Sequence, residues 1–402
     1  MSEPYKPLFN RTYLKIIMWV SAITILYLAT LDSREPDYLE LNRAENLPVY
    51  WVEHNADTTN LSVLLPTGSA ISNSEKQLQT LLAQILESQL GAQVLPNSVR
   101  YSLRQAQDHL NLEFNLTAVD QQPDWQSLFA NLQQPIEPVL WQPVLEKLKA
   151  RDYLQSHKTD QQLLNSFFSR LTGGDQQDPL MQLNNRYQGM LNNARFFVSG
   201  NEAEELAEQL AEHPPRLVPS SLSARQLSSH PQVQILPATN DSRFHLLLGS
   251  AIPPRTSDQF AVHKLAAHLL QDALAQTNER LSFDYRQLWS SLQDGGYSAL
   301  LLHSDQPLDN LLTALRNRLT PELAERSRNQ VIENWQERMT DEQNQLTALQ
   351  QVALYQLPLD TLANYSEQLR VVSSDQIVML ASASLDRDNQ ILITIDNRPS
   401  AN

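Results

Sequence analysis

Residues 61–90 read LSVLLPTGSAISNSEKQLQTLLAQILESQL and decide the fold of this chain. Residues 61–70 have the apolar character of a strand that ends in a Gly-Ser-Ala turn. Leucine and isoleucine then recur at three- and four-residue spacing over residues 76–90, which predicts an amphipathic helix whose apolar side packs on a sheet. The residues of that side are Leu78, Leu81, Leu82, Ile85, Leu86 and Leu90.

A strand, a Gly-Ser turn and an apolar helix in this order resemble the start of the M16 metallopeptidases, the insulinase and pitrilysin family of inverzincins. In that family the helix carries the inverted zinc motif His-x-x-Glu-His. Laid on this sequence, the motif places Thr80, Ala83 and Gln84 at its three chemical positions. A catalytic zinc needs three nitrogen or oxygen ligands and a nearby carboxylate as general base. The resemblance therefore implies a degenerate member that lacks zinc ligands and general base, and so has no cofactor of its own.

The plan of the first half repeats after a linker rich in proline and serine, and internal repetition is strong evidence of a fold. An apolar segment leads into a second Gly-Ser-Ala at Gly249, and an amphipathic helix is predicted over residues 260–274. The predicted fold class is α+β, with two tandem M16-type α/β units of the LuxS/MPP-like metallohydrolase kind that form a half-shell. We expect an N-terminal domain over 47–213, a linker over 214–231 and a C-terminal domain over 232–398.

Further elements follow from alternation and helical spacing. Residues 49–53 and 61–65 are predicted to form a hairpin. The other predicted strands cover 110–116, 194–200, 244–248, 297–302 and 390–396, and the other predicted helices cover 138–156, 161–171, 202–212 and a long stretch over 321–351.

Residues 16–31 form an uncharged apolar run that Leu14 and Lys15 extend to the short limit for a membrane span. The run lacks small residues at the positions that a signal-peptide cleavage site needs, so an uncleaved transmembrane anchor is favoured over a cleaved signal. Basic residues precede the run and acidic residues follow it, which orients the bulk of the chain toward the periplasmic or extracytoplasmic side of the inner membrane. We expect a cytoplasmic tail (1–13), an anchor (14–31) and a connector (32–46).

Composition excludes several classes of function. The net charge is −15 and no basic stripe is visible, which argues against nucleic-acid binding. The chain has no cysteine, so disulfides, thiol catalysis and cysteine zinc sites are excluded. No glycine-rich phosphate loop and no Gly-x-Ser-x-Gly nucleophile motif occur.

Other candidate ligands have weaker support. The family places a third zinc ligand on a later helix, and the matching window here offers Glu146 and Asp152, for which a solvated helix charge is the favoured interpretation. His263 and His268 lie on the repeated helix at a spacing of five residues, whereas two ligands on one helix are normally four apart. Packing or surface histidines are therefore favoured over a metal site.

Active M16 enzymes also bring an Arg and a Tyr from the second half to the substrate. Tyr285 stands where the resemblance places that Tyr, as a candidate substrate-binding residue, although a framework role is an equal alternative. Asn278 stands where the Arg is expected, and Arg280 fits only with a small deletion.

Two functions remain after these arguments. In the first, the chain is a non-catalytic M16 subunit that pairs with a separate chain carrying an intact zinc motif, and binds or helps to process peptides or unfolded polypeptides. In the second, it is a free-standing binding or scaffold protein of the same fold, with no role in proteolysis. Fold alone does not choose between them.

Overall fold

The computed structural model divides the chain into residues 1–38 and a compact unit from Leu39 onward. It describes residues 15, 17–22, 24, 36–45, 47–117, 119, 122–174, 178–215, 217, 227–228, 230–237 and 243–396. The predicted tail lies outside these residues, and the predicted anchor and linker lie mostly outside them. Residues 15, 17–22 and 24 are helical. Within the described ranges, no helix is both long enough and apolar enough to cross a membrane.

The first sheet contains β1 (Asn42–Arg43), β2 (Val49–Glu53), β3 (Thr59–Pro66), β4 (Val99–Gln105), β5 (His109–Leu116) and β6 (Arg195–Gly200). Its strand order is β1-β2-β6-β3-β5-β4. The predicted hairpin of β2 with β3 is wrong, because β6 lies between them, parallel to β2 and antiparallel to β3. All six residues of β6 are buried, which favours a central place in the sheet over an edge.

The described residues of the first half also form six α-helices: α1 (Asn73–Gly91), α2 (Trp125–Leu132), α3 (Gln142–Gln155), α4 (Thr159–Leu171), α5 (Pro179–Asn192) and α6 (Ala203–Glu212). Helix α1 begins at a capping box, in which Ser72 and Glu75 satisfy each other's backbone N–H groups. All six apolar residues predicted for its packing side are buried. Helices α2 and α5 and strand β4 have no counterpart among the predicted elements.

The second sheet contains β7 (Gln232–Leu236), β8 (Phe244–Ile252), β9 (Asp284–Leu292), β10 (Gly295–Ser304) and β11 (Ile391–Asp396), in the order β7-β11-β8-β10-β9. The two Gly-Ser-Ala tripeptides do not occupy equivalent positions. Gly68 has a φ of +78° in the turn after β3, whereas Gly249 is inside β8. A Cβ at Gly249 would come within 2.6 Å of the Phe167 ring, so glycine is needed there for close packing.

The described residues of the second half form α7 (Phe260–Leu281), α8 (Leu308–Arg316), α9 (Pro321–Arg338), α10 (Glu342–Tyr355), α11 (Thr361–Arg370) and α12 (Ser374–Ser384). The long helical stretch predicted over 321–351 is two helices. The Asp341 side chain accepts a hydrogen bond from Asn344 N at 2.9 Å and starts α10, because this N-cap competes with a continuous helix.

Each half of the compact unit packs one of its helices on the sheet of the other half. Helix α4 of the first half packs on the second sheet, where Phe167 and Leu163 share a buried cluster with Leu247 and Ile393. Helix α10 of the second half packs on the first sheet, and Gln350 donates a hydrogen bond to Ser62 Oγ at 3.1 Å. Each sheet therefore has one face covered by a helix of the other half.

Candidate functional site

Thr80, Ala83 and Gln84 share the less buried side of α1. Thr80 and Ala83 are half-buried and Gln84 is exposed. Leu81 and Leu82, which lie between them in sequence, are buried in the core of the first half. The register of buried residues thus puts the three motif positions on one accessible surface, as a site on this helix requires.

The chemistry of these side chains does not suit a zinc ion. Thr80 Oγ1 donates a hydrogen bond to the carbonyl oxygen of Lys76 at 2.8 Å, within the helix. Ala83 has no polar atom at the place of the general base, and Gln84 offers only a neutral amide. Zinc in proteins takes histidine nitrogen, thiolate or carboxylate oxygen. The residues present do not fit the metal of the M16 peptidases, and no hydrolytic step is assigned to them.

Asp152 lies against the start of the same helix. Its Oδ2 accepts a hydrogen bond from Gln77 Nε2 at 2.7 Å. Lys76 lies close by, and burial lowers the pKa of its ammonium although Asp152 and Glu75 favour the charged form. Glu146 is exposed and pairs with neighbours on its own helix. The carboxylate of Asp152 is thus held by an amide and near an ammonium.

Within the described part of the chain, no three His, Asp or Glu side chains converge closely enough to hold a metal ion. The expected absence of zinc stays a prediction.

The strand β4 runs beside α1 at the edge of the first sheet. Gln105 Nε2 donates a hydrogen bond to Gln79 Oε1 at 3.0 Å, which ties the strand to the helix. Among the described residues, β4 pairs only with β5. Ala106 N donates a hydrogen bond to His109 O, so these two residues form a hydrogen-bonded pair of the ladder. Such pairs recur at every second residue of an antiparallel ladder, so the N–H groups of Tyr101 and Leu103 point away from β5. An open strand edge therefore adjoins the motif surface.

Tyr285 lies on β9, half-buried, with its ring 5.7 Å from that of Phe283. The expected arginine is not beside it. Asn278 Oδ1 accepts a hydrogen bond from Phe283 N at 2.8 Å and so helps to end α7. Arg280 is exposed in the last turn of α7, and no contact within the described ranges joins it to Tyr285.

Helix α7 is the counterpart of α1, and the buried residues set the register between them. Leu81, Leu82, Ile85 and Leu86 of α1 match Leu265, Ala266, Leu269 and Leu270 of α7. This match puts Lys264, Ala267 and His268 at the places of Thr80, Ala83 and Gln84. The apolar pairs have the same spacing in α1 and α7, so this alignment could have been predicted from the sequence. The two histidines of α7, considered alone, did not reveal it.

The counterpart surface borders a cleft of about 300 Å³ between α7 and the edge strand β9. We call it the α7–β9 cleft. Its lining residues are Lys264, Ala267, His268, Gln271, Tyr285, Gln287 and Trp289. Burial, followed by Lys264 and Arg338, lowers the pKa of His268, although Asp272 raises it. The cleft has no carboxylate in its lining, in a chain of net charge −15.

Lys264 lines this cleft, and two further cationic side chains, Arg255 and Arg338, lie close enough to act on it. Lys264 donates a hydrogen bond to the Tyr365 hydroxyl, and its Nζ is 4.8 Å from the centre of that ring. Arg255 stacks over Phe260 at 3.6 Å. Burial, together with the guanidinium groups of Arg255 and Arg338, lowers the pKa of Lys264 to about 7. None of the three makes an ion pair with a described residue.

Comparison with known proteins gives a fold. No protein-family model and no curated protein sequence matches the chain. An M16 peptidase inactive domain from Pseudomonas fluorescens is similar, with TM-score 0.64 and 14% identity, over 89% of this chain and 97% of that one. A protease from Helicobacter pylori matches with TM-score 0.65 and 14% identity, over 90% and 100%.

A third similar structure is the ferredoxin protease FusC, in complex with Arabidopsis ferredoxin. It matches with TM-score 0.58 and 14% identity, over 90% of this chain and 46% of that chain. The three matches agree on the architecture, and at these identities they show the fold alone.

Proposed function

Because the chain has the fold of the M16 peptidases, we propose that it is a non-catalytic M16-like subunit that pairs with a separate zinc-dependent M16 peptidase. The observation that carries this proposal is the accessible side of α1, where threonine, alanine and glutamine stand at the motif positions. An intact fold whose motif helix carries no ligand residues has no catalytic use of its own, but it can still supply surface to a partner.

The class of substrate in this proposal is a polypeptide in extended conformation. The open edge of β4 adjoins the motif surface, and an extended segment can add to such an edge through main-chain hydrogen bonds. One similar structure is a protease in complex with a protein, ferredoxin. Exposed Tyr101 and the arginines Arg100 and Arg104 on β4 would contact the side chains of the added segment.

The proposal places the compact unit outside the inner membrane, held by residues 14–31. The support is the sequence pattern, an apolar run with basic residues before it and acidic residues after it. Zinc belongs to the partner subunit in this arrangement, and the two chains would meet on the periplasmic side.

The test is co-purification of the full-length chain with an active M16 chain from the same cell, followed by elemental analysis. We expect a stable heterodimer that buries on the order of 2,000 Å² and holds one zinc per two chains. A chain that stays alone at micromolar concentration would favour the alternative, a scaffold with no role in proteolysis.

A further inference from the structure

The α7–β9 cleft combines a half-buried cation, Lys264, with an open strand edge, and the pairing role proposed above uses neither. We propose that this cleft binds a carboxylate carried by an extended polypeptide segment, with Lys264 as the contact for the carboxylate. The inference goes beyond the proposed pairing and does not depend on it.

The charge of the cleft argues for an anionic ligand. Lys264 has the Tyr365 hydroxyl as its hydrogen-bond partner, and Arg255 and Arg338 add positive charge nearby. The closest acid on α7 is Asp272, which accepts a hydrogen bond from Ser327 and acts on His268. A buried ammonium without a carboxylate partner is costly, and a bound carboxylate would relieve that cost.

The shape of the cleft argues for a polypeptide. In the described part of the chain, β9 pairs with β10 on one side only. Among the described residues, one backbone hydrogen bond from outside the sheet reaches β9. Arg255 N donates it to Leu292 O, at the end of the strand. Tyr285, Gln287 and Trp289 alternate along β9, so they share the face that lines the cleft and could contact the side chains of an added strand.

Two of the residues that line the cleft have buried polar atoms without a hydrogen-bond partner in the described part of the chain. Trp289 Nε1 and Gln287 Oε1 are buried and have no hydrogen-bond partner among the described residues. An indole donor, an amide acceptor and an ammonium in one cleft suit the mixed donors and acceptors of a peptide. A purely apolar ligand would leave the indole N–H and the amide oxygen without a hydrogen-bond partner.

The experiment measures binding of a capped six-residue peptide that alternates threonine with glutamate, by titration calorimetry on the full-length chain. Its twin has glutamine in place of glutamate, and free glutamate is the third probe. We expect the acidic peptide to bind at least about tenfold more tightly than either of the others, because the ammonium and the strand edge act together.

Two variants and a control locate the site. Lys264→Met should weaken binding of the acidic peptide about tenfold or more and leave binding of the glutamine peptide unchanged. Arg338→Gln, on the exposed end of α9, should weaken it by a smaller factor that fades as salt is raised. Arg326→Gln, an exposed arginine on the same helix, should have no effect.

Proton uptake gives a second readout. The groups that face Lys264 are Arg255, Arg338, Tyr365 and His268. Because the pKa of Lys264 is about 7, a bound carboxylate should draw a proton onto it at pH 8, and buffers of different ionisation enthalpy measure that proton. Lys264→Met should abolish most of the uptake. Equal affinity for both peptides, or unchanged affinity in Lys264→Met, would overturn the proposal, and tight binding of free glutamate would overturn its polypeptide part.

Discussion

Three side chains of α1 stand at the positions that carry the zinc motif in the M16 peptidases. Helix α1 buries its leucines on one side, while Thr80, Ala83 and Gln84 on the other side lack the donors that zinc takes. The nearby acid, Asp152, is already hydrogen-bonded to Gln77 and lies near Lys76. The nearby acid, like the three motif positions, is therefore unsuited to hold a zinc ion.

Introducing the motif residues tests whether these positions alone prevent zinc binding. We expect the variant Thr80→His, Ala83→Glu, Gln84→His to bind zinc weakly at most and to cleave no peptide, because no third ligand and no supporting shell are in place. Zinc content and peptide cleavage are the measurements, with Ala83→Glu alone as the control. Robust cleavage by the triple variant would show that the rest of the machinery is intact.

Lys264 should limit stability at neutral and low pH. Its pKa is about 7 in the folded chain against an ordinary value of 10.5. Below pH 7 Lys264 is protonated in both the folded and the unfolded chain, so the folded chain bears the full cost of burying the charge. Between pH 7 and about 10 Lys264 is neutral in the folded chain but still protonated in the unfolded chain, so the free energy of unfolding rises with pH. Lys264→Met should raise the free energy of unfolding by about 1 kcal/mol at pH 6.

That gain should shrink as the pH rises toward 10, and thermal unfolding at both pH values measures it. The control is Lys147→Met on the exposed surface of α3. A gain that is the same at pH 6 and pH 10 would mean that the lysine is not charged in the folded chain at pH 6.

Among the elements, those set by local spacing could be predicted from the sequence. The apolar residues of α1 lie at helical spacing, and the prediction of the helix is confirmed. The hairpin of β2 and β3 was wrong because β6, which lies between them, comes from far along the chain. The cations of the α7–β9 cleft come from a loop and two helices, so no local pattern joins Arg255, Lys264 and Arg338.

The strand β4 allows a direct test of polypeptide binding. Leu103→Pro removes an N–H that points away from β5, so the ladder keeps its bonds while an added strand loses one. We expect this variant to weaken binding of an unfolded polypeptide by about tenfold. Leu103→Ala is the matched control, since it removes the same packing but keeps the N–H. Equal binding by the two variants would exclude this edge as the site.

In the compact unit as a whole, a polar cluster joins the two halves beside helices α4 and α10. Asp108 in the turn between β4 and β5 is 3% exposed, and it accepts hydrogen bonds from Gln293 N at 3.1 Å and from the Tyr355 hydroxyl at 2.9 Å. Burial and Asp108 raise the pKa of Tyr355, so its hydroxyl stays a donor. Gln107, next to Asp108 in the same turn, donates a further hydrogen bond across the junction to the Tyr297 hydroxyl.

Removing that carboxylate should loosen the junction. Asp108→Ala leaves two donors of the second half, Gln293 N and the Tyr355 hydroxyl, without their acceptor in the first half, and we expect it to lower the free energy of unfolding by about 3 to 5 kcal/mol. Urea unfolding measures the loss, with Asp57→Ala in an exposed loop as the control. If the halves unfold in two separate transitions in the variant, the junction is what makes the unit cooperative; a change below about 1 kcal/mol would contradict this role.

We propose that this chain acts through a partner that carries the zinc site. The most direct measurement is the rate at which an active M16 chain from the same cell cleaves a long peptide, with and without this chain and with its Leu103→Pro variant. We predict that the partner alone cleaves slowly, that the complex cleaves faster, and that the variant restores only part of the rate. Full activity of the partner alone, or cleavage by this chain alone, would contradict the account.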